Sequence, residues 1–407
     1  MHRFMGILGM IAILGLAYAI SNNRRQIDWK LVIWGIVLQV AFAAFILMTP
    51  IGRPFFSWVD TIIRGLLSLS DKGSDFLFSS YVTGQVEAPL MNFAFRVLPT
   101  IIFFSALMAG AYHLGIMQWI VKWIARGMQK TLGTSGSETL SASANIFVGQ
   151  TESPLLIRPF IEGATKSELM AIMTAGFATV AGGVMALYVK MLSDIPGIAG
   201  HLMAASIMSA PAALVIAKII YPETQDSLTA GDLKMEVKRM DTNLVEAVGR
   251  GATDGMTLAL NVAAMLVAFV ALIAGVNVLL GLMGLSLEQI LGWVFRPLAW
   301  TMGVPWQEAG IVGSLMGQKL VLTELIAYSN LSELLTSAAN PLSLKSEIIA
   351  SYALCGFANF ASVGIQIGGI GGIAPSRRGD LAALAFRAMF GGALASWLTA
   401  SLAGLML

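Results

Sequence analysis

The chain has 407 residues, 57% of them hydrophobic and 12% charged, with a formal net charge of +2 and a mean hydropathy of +0.77. Soluble domains carry about 25% charged residues, so this composition excludes a soluble globular enzyme, and the small net charge excludes a nucleic-acid binder. Uncharged runs of roughly 20 residues instead predict an all-α polytopic protein of the lipid bilayer.

Taken in order, the spans are these. Phe4–Ile20 lacks a strong basic flank and an A-x-A site, and so reads as a retained first helix. Arg24, Arg25 and Lys30 place the next turn on the cytoplasmic side. Leu31–Met48 is the second span. Pro50–Pro89 mixes charged and apolar residues and predicts amphipathic helices at the outer face. Val97–Ile120 is the third span, followed by a basic amphipathic segment with Lys122, Arg126 and Lys130. Gly136–Gly163 is too short and too interrupted for two crossings. It predicts a re-entrant helical hairpin with its tip at Gly149–Pro154. Leu169–Tyr188, broken by glycines, and Ile198–Ile220 are the fourth and fifth spans. Glu223–Arg250 reads as a charged cytoplasmic loop, and Met256–Met283 as the sixth span. Leu287–Met302 is amphipathic and suits an interface. Glu308–Thr336 predicts a second hairpin, Ile348–Ile370 the seventh span and Leu381–Leu407 the eighth. Eight spans and two hairpins put both termini outside and roughly two thirds of the Lys and Arg inside, in keeping with the positive-inside rule.

The two halves echo each other. Lys166-Ser167-Glu168 leads to Gly176-Phe177-Ala178-Thr179, and Lys345-Ser346-Glu347 leads to Gly356-Phe357-Ala358-Asn359. Thr151-Glu152 has a counterpart in Thr323-Glu324, and Gly149-Gln150 a looser one in Gly317-Gln318. The first hairpin enters from inside and the second from outside, so the repeat is inverted. Inverted repeats with paired broken helices mark secondary transporters, whose substrate site lies between them near the midplane.

Glu152 and Glu324 are the residues that most need explaining. A carboxylate at membrane depth costs roughly 2.5–3.5 kcal/mol on insertion scales, so it is retained with partners or for a function. Two of them at equivalent positions can accept hydrogen bonds from hydroxyls or ring N–H groups of a polar solute. Asn145, Gln150 and Thr151 add donors and acceptors. Freed carbonyls of Asn145, Val148 and Val180, with the Asn145 amide and the Thr179 hydroxyl, have the hard-oxygen character a small alkali cation takes. Asn359 and Ser362, three apart, share a face of the seventh span. Phe357, from its residue type alone, reads as core packing. Cys355 is the single cysteine, and His2, His113 and His201 are scattered, so no Cys or His metal motif is present.

Four stretches carry a family resemblance: Gly149-Gln150-Thr151-Glu152-Ser153-Pro154, Thr323 to Tyr328 (T-E-L-I-A-Y), Cys355 to Asn359 (C-G-F-A-N) and Pro375 to Asp380 (P-S-R-R-G-D). Over essentially its whole length the chain resembles the concentrative nucleoside transporters in their bacterial form. Thr323 and Leu325 depart from the family's N-E-F-V-A-Y. The resemblance implies an elevator-type homotrimer in a bacterial inner membrane, importing nucleosides such as uridine by symport with Na+. It implies that Gln150, Thr151 and Glu152 contact the base, that Glu324, Asn359 and Ser362 hold the ribose hydroxyls, and that Phe357 lines the ribose side. It implies a Na+ site of Asn145, Val148, Thr179 and Val180. Residues 1–120 would form scaffold helices with an outer-face segment, 121–220 the first transport repeat, 221–285 a cytoplasmic loop and scaffold helix, and 286–407 the second repeat. Proton coupling through Glu152 or Glu324 is the alternative within the fold. A passive channel and a membrane-embedded enzyme are alternatives outside it; the sequence has no metal motif, nucleophile elbow or cofactor loop of the kind an enzyme would use.

Overall fold

A computed structural model describes residues 5–229, 241–337 and 340–407, with Arg53 by its backbone only. His2, the Phe4 start of the first span and the 230–240 stretch of the charged loop lie outside the described residues. The chain opens with α1 (Met5–Ala19), α2 (Trp29–Met48) and α3 (Gly52–Phe78), then α4 (Phe93–Arg96), α5 (Leu98–His113) and α6 (Ile116–Leu132). A hairpin follows, made of α7 (Gly136–Ala144), an irregular tip, a 3-10 turn at Ser153–Ile157 and α8 (Arg158–Ile161). Next come α9 (Lys166–Ala178), α10 (Gly182–Met191), α11 (Ile198–Ile220), α12 (Leu244–Gly281) and α13 (Leu287–Thr301). The second hairpin is α14 (Trp306–Val321) with α15 (Glu324–Thr336), and the chain closes with α16 (Leu344–Leu354), α17 (Phe360–Ile373) and α18 (Arg378–Met406). No strand occurs among the described residues. Six helical stretches are long and apolar enough to cross a membrane, and Met5–Ala19 and Phe360–Ile373 are shorter apolar helices.

Two boundaries depart most from the sequence reading. The third span stops at His113 rather than Ile120, because Gly115 takes a left-handed φ of 79° and restarts the chain as amphipathic α6. The charged loop does not reach Arg250. Asn243 accepts a hydrogen bond from the Glu246 amide and starts α12 there. At 38 residues and 1.5 Å per residue, α12 is about 57 Å long, well beyond the hydrocarbon core of roughly 30 Å. Its first turns, which hold Glu246, Arg250 and Asp254, therefore extend past the apolar layer. The outer-face segment contains one long amphipathic helix, α3, tied by Lys190–Asp71 and Arg96–Asp75 ion pairs to the neighbouring helices.

The element order hairpin, broken helix, long helix occurs twice: α7–α8, α9/α10, α11, and α14–α15, α16/α17, α18. The echoed sequence has a local cause. Thr165 and Glu168 form a capping box that starts α9, with Glu168 reaching back to the Thr165 amide at 2.8 Å. The second repeat starts α16 one residue earlier relative to its motif, after Ser343. The two breaks start at different points of the echo. α9 runs through Gly176-Phe177-Ala178 and opens at Thr179, whereas α16 stops at Leu354 and leaves Gly356-Phe357-Ala358 in the irregular segment. Both spans break at the echoed stretch, at its last residue in the first repeat and across the whole of it in the second.

The two breaks cross at a point that only glycine fits. Gly356 has a φ of 110°, and a Cβ there would sit 2.7 Å from the Phe177 carbonyl oxygen. Around this crossing α18 packs on α9, α11 and α16. Burial is uneven along the chain: the apolar window of α11 is 89% buried, while that of α12 is 6% buried. A helix that bare must be covered by lipid or by another chain.

Candidate functional site

The tip of the second hairpin is locked. Thr323 caps α15, its hydroxyl accepting from the Ile326 amide at 3.4 Å, so threonine supplies the acceptor this turn needs. Glu324 follows at the first helical position and is buried. One carboxylate oxygen accepts the Tyr188 hydroxyl at 2.8 Å, and the other accepts the Asn359 amide at 2.7 Å. Asn359 in turn uses its amide oxygen to accept the Ser362 amide at 2.8 Å. It is the cap of α17 rather than a residue on its face, which fixes the direction of its NH2 group. Tyr188 is held from behind by the Tyr328 ring, 4.3 Å away between centroids.

The tip of the first hairpin is built differently. Asn145 closes α7, and residues 146–152 turn without helix until the 3-10 turn that Ser153 begins. The Gln150 carbonyl oxygen accepts from Gln366 at 3.0 Å, and the same Gln366 amide donates to the Met173 carbonyl at 3.1 Å. Gly176 lets this happen, since a Cβ there would lie 2.7 Å from the Gln366 nitrogen. Glu152 is exposed at the tip and folds back over Gly149. Among the described residues no side-chain hydrogen bond to another side chain holds its carboxylate.

Both tips open on one cavity of about 190 Å3. It is smaller than the roughly 300–1,000 Å3 of drug-sized pockets and so takes a small solute. Gln150, Thr151 and Glu152 enter it from the first hairpin, Glu324 from the second, and Phe357, Asn359 and Ser362 from the α16/α17 break and α17. Phe357 is half-buried and lines this space rather than the closed core. The apolar part of the wall comes from Leu258, Val262, Met265 and Leu266 of α12, with Val184 and Leu187 of α10, Leu325 of α15 and Ile365 of α17. Chemically, the cavity offers acceptors on two carboxylates, donors and acceptors on the amides of Gln150 and Asn359 and the hydroxyls of Thr151 and Ser362, and an apolar side.

The four residues read as cation ligands fall on two facing irregular segments. Asn145 and Val148 belong to the first tip, and Thr179 and Val180 to the α9/α10 break. The Gly182 amide, donating to the Phe147 carbonyl at 2.9 Å, ties the two segments together. Asn145 donates from its amide to the Ser141 carbonyl at 3.1 Å and the Ser153 hydroxyl at 2.9 Å, while its buried Oδ1 has no hydrogen-bond partner. Thr179 donates its proton to the Ala175 carbonyl at 2.9 Å, which leaves its lone pairs as acceptors. Both side chains thus present bare oxygen, the donor type a hard cation takes.

Tyr188 and Gln366 escaped the sequence reading, which named Thr323 as a motif residue but not as a helix cap. Tyr188 stood only as the end of a span, although a phenol inside an apolar helix needs a partner when buried. Gln366 carried the same signal in a run of Ile and Gly.

Comparison with known proteins bears on these residues as a set. The model described as Na+-dependent nucleoside transporter N-terminus matches residues 8–81, one for nucleoside recognition (Gate) matches 94–195, and Na+-dependent nucleoside transporter C-terminus matches 201–404. The chain is 46% identical over 416 residues to an uncharacterized transporter, YutK, of Bacillus subtilis, covering 100% of both. It is 40% identical over 424 residues to sodium/nucleoside cotransporter 1 of Mus musculus, covering 100% of this chain and 64% of the mouse protein. The structure of CNTnw in an inward-facing substrate-bound state superposes with a TM-score of 0.92 at 42% identity, covering 100% of this chain and 98% of CNTnw.

Proposed function

This chain belongs to the Na+-dependent, concentrative nucleoside transporter family, and we propose that it imports nucleosides such as uridine by Na+ symport. As a member it is a multi-pass membrane transporter of nucleosides and not an enzyme, and Na+ is the coupling ion of its family. The observation that carries the finer reading is the pairing of Glu152 and Glu324 across one cavity, closed on its third side by α12.

In this reading Glu324, oriented by Tyr188 and Asn359, accepts hydroxyl protons of the ribose, with Asn359 and Ser362 beside it. Phe357 covers the sugar. Gln150, Thr151 and Glu152 meet the base edge, whose alternating donors and acceptors suit an amide, a hydroxyl and a carboxylate. A site of this kind rejects a solute that lacks those groups, because its own buried polar atoms would then be left unpaired.

Na+ takes the bare oxygens of Asn145 and Thr179 with the carbonyls of Val148 and Val180. Bound there, it joins the first tip to the α9/α10 break, so the nucleoside meets a preorganised Gln150-Thr151-Glu152. One cation entering down about 100 mV supplies roughly 2.3 kcal/mol, enough for about 40-fold accumulation of a neutral solute.

The two repeats, 121–220 and 286–407, move as an elevator against a scaffold of 1–120 and 221–285. The bare face of α12 supports a homotrimer around that scaffold. The membrane is a bacterial inner membrane with both termini outside.

Uridine uptake into proteoliposomes tests the proposal, with an imposed Na+ gradient compared against a proton gradient. Concentrative uptake that follows Na+ alone is expected. Uptake driven by protons without Na+ would overturn the coupling while leaving the nucleoside site, and equilibration without accumulation would overturn symport.

A further inference from the structure

Lys319 is a full charge that the transport cycle above leaves unused. It lies in the last turn of α14, at the end of the first limb of hairpin 2, and its exposure is 0%. A buried ammonium is costly unless every proton finds an acceptor. Here all three do: the Ala353 carbonyl at 3.0 Å, the Cys355 carbonyl at 2.9 Å and the Ser396 hydroxyl at 2.7 Å. The three acceptors are neutral oxygens.

Ala353 and Cys355 mark the end of α16, where the helix opens and its carbonyls lose their intrahelical partners. The partial negative charge of that terminus adds to the attraction. Ser396 belongs to α18. One ammonium therefore pins hairpin 2, the end of the half-helix α16 and α18 at a single point. The pinned segment leads through Gly356 into Phe357 and Asn359, which line the nucleoside cavity.

The first repeat has the same arrangement without the lysine. Its hairpin ends its first limb at Asn145, and the tip that follows is tied to the opened end of the half-helix α9 by the Gly182 amide, which donates to the Phe147 carbonyl at 2.9 Å. In each repeat, then, the end of a hairpin's first limb meets the opened end of the following half-helix. In the first the meeting point is lined by oxygen acceptors, including the partnerless Asn145 Oδ1. In the second it is filled by a cation that is part of the chain.

We propose that Lys319 is a tethered cation, its ammonium taking in the second repeat the place that exchangeable Na+ takes in the first. Hairpin 2 is then held against α16 at every stage of the cycle, while hairpin 1 is held only when Na+ is bound. One repeat is gated by the ion and the other is permanently assembled. The chain consequently has one exchangeable Na+ site of this type, and its Na+ dependence is non-cooperative. Lys319 acts as a positioning residue, through Asn359 and Glu324, and does not touch the nucleoside. The inference rests on the Na+ reading of the first repeat.

Two measurements test it. In the first, nucleoside affinity and Na+ half-saturation are measured separately in the full-length protein in lipid, for wild type, Lys319→Met and Lys319→Arg. Lys319→Met keeps the unbranched stem out to the Cε position and removes the ammonium, with its charge and donors. It is expected to weaken nucleoside binding about tenfold or more at saturating Na+, with Lys319→Arg recovering most of the loss and the Na+ half-saturation moving less than about twofold. Nucleoside binding by Lys319→Met within about twofold of wild type would overturn the proposal.

The second uses wild-type protein, so it stands whether or not a variant folds. Amide hydrogen exchange is followed at the two hairpin tips in NaCl and in choline chloride. The expectation is that Na+ slows exchange about tenfold or more at 145–152 and leaves the already protected 319–326 unchanged. Equal protection of both tips by Na+ would overturn the tethered cation. A wild type in which Na+ protects neither tip and drives no uptake would instead defeat the Na+ reading, and Lys319→Met binding would still judge the lysine.

Discussion

The two hairpins follow one plan in the sequence and two in their chemistry. Hairpin 2 has a second limb of 13 residues, capped by Thr323, and its carboxylate is oriented by a tyrosine and an asparagine. Hairpin 1 has a tip without helix and a second limb made of a 3-10 turn and a four-residue helix, and its carboxylate stands open to the cavity. The difference teaches where binding order resides. In the proposed reading, hairpin 2 meets the ribose with its carboxylate already oriented, whereas hairpin 1 gains a defined shape when Na+ takes its bare oxygens. Symmetry of architecture thus coexists with asymmetry of preorganisation.

The strongest way to break the comparison is Glu324→Gln. The amide can accept from only one of Tyr188 and Asn359, and it removes the buried charge toward which both donors, and the ribose hydroxyls of the proposed reading, are turned. A loss of about 100-fold or more in nucleoside affinity is expected, within the roughly 2–5 kcal/mol that removal of a buried charged partner costs. Calorimetry reads it, with thermal stability of the purified protein as the control for folding. Tyr188→Phe removes one hydrogen bond to the same carboxylate, worth roughly 1.5–3 kcal/mol, so affinity should fall about 10- to 100-fold. Glu152→Gln should cost less than either, about tenfold, because among the described residues no side-chain donor depends on it. If Glu152→Gln proved more damaging than Glu324→Gln, the assignment of the rigid half to hairpin 2 would be wrong. The smallest effect is expected from Gln366→Leu, which frees Gln150 at a cost of about 1 kcal/mol, or roughly fivefold in the affinity for the base. A nucleoside analogue lacking the base-edge donors should lose its sensitivity to this substitution while keeping its sensitivity to Glu324→Gln.

Much of this was legible in the chain itself. Carboxylates in apolar segments and glycines in apolar spans are expensive enough that their positions announce the tips and the breaks. The T-E pairs both open a second hairpin limb. The G-Q echo does not correspond: Gly149-Gln150 lies in an irregular tip, Gly317-Gln318 inside α14. The echoed G-F-A lies inside a helix in the first repeat and in a break in the second, because α16 ends at Leu354, before the motif, and α9 at Ala178, its last residue. What residue patterns could not supply was long-range pairing. Tyr188 meets Glu324 across 136 positions and Gln366 meets Gln150 across 216. Asn243 as a helix start was readable by capping rules, but the charged residues that follow it disguise the first turns of α12 as loop.

The central claim is that Na+ acts by shaping the first hairpin for the nucleoside. Its most direct test is uridine affinity measured by calorimetry in NaCl and in choline chloride, for wild type and Asn145→Ala. Wild type should bind about tenfold or more tightly in NaCl, and Asn145→Ala should bind alike in both salts, at the wild-type affinity in choline. Equal wild-type affinity in the two salts would contradict the claim.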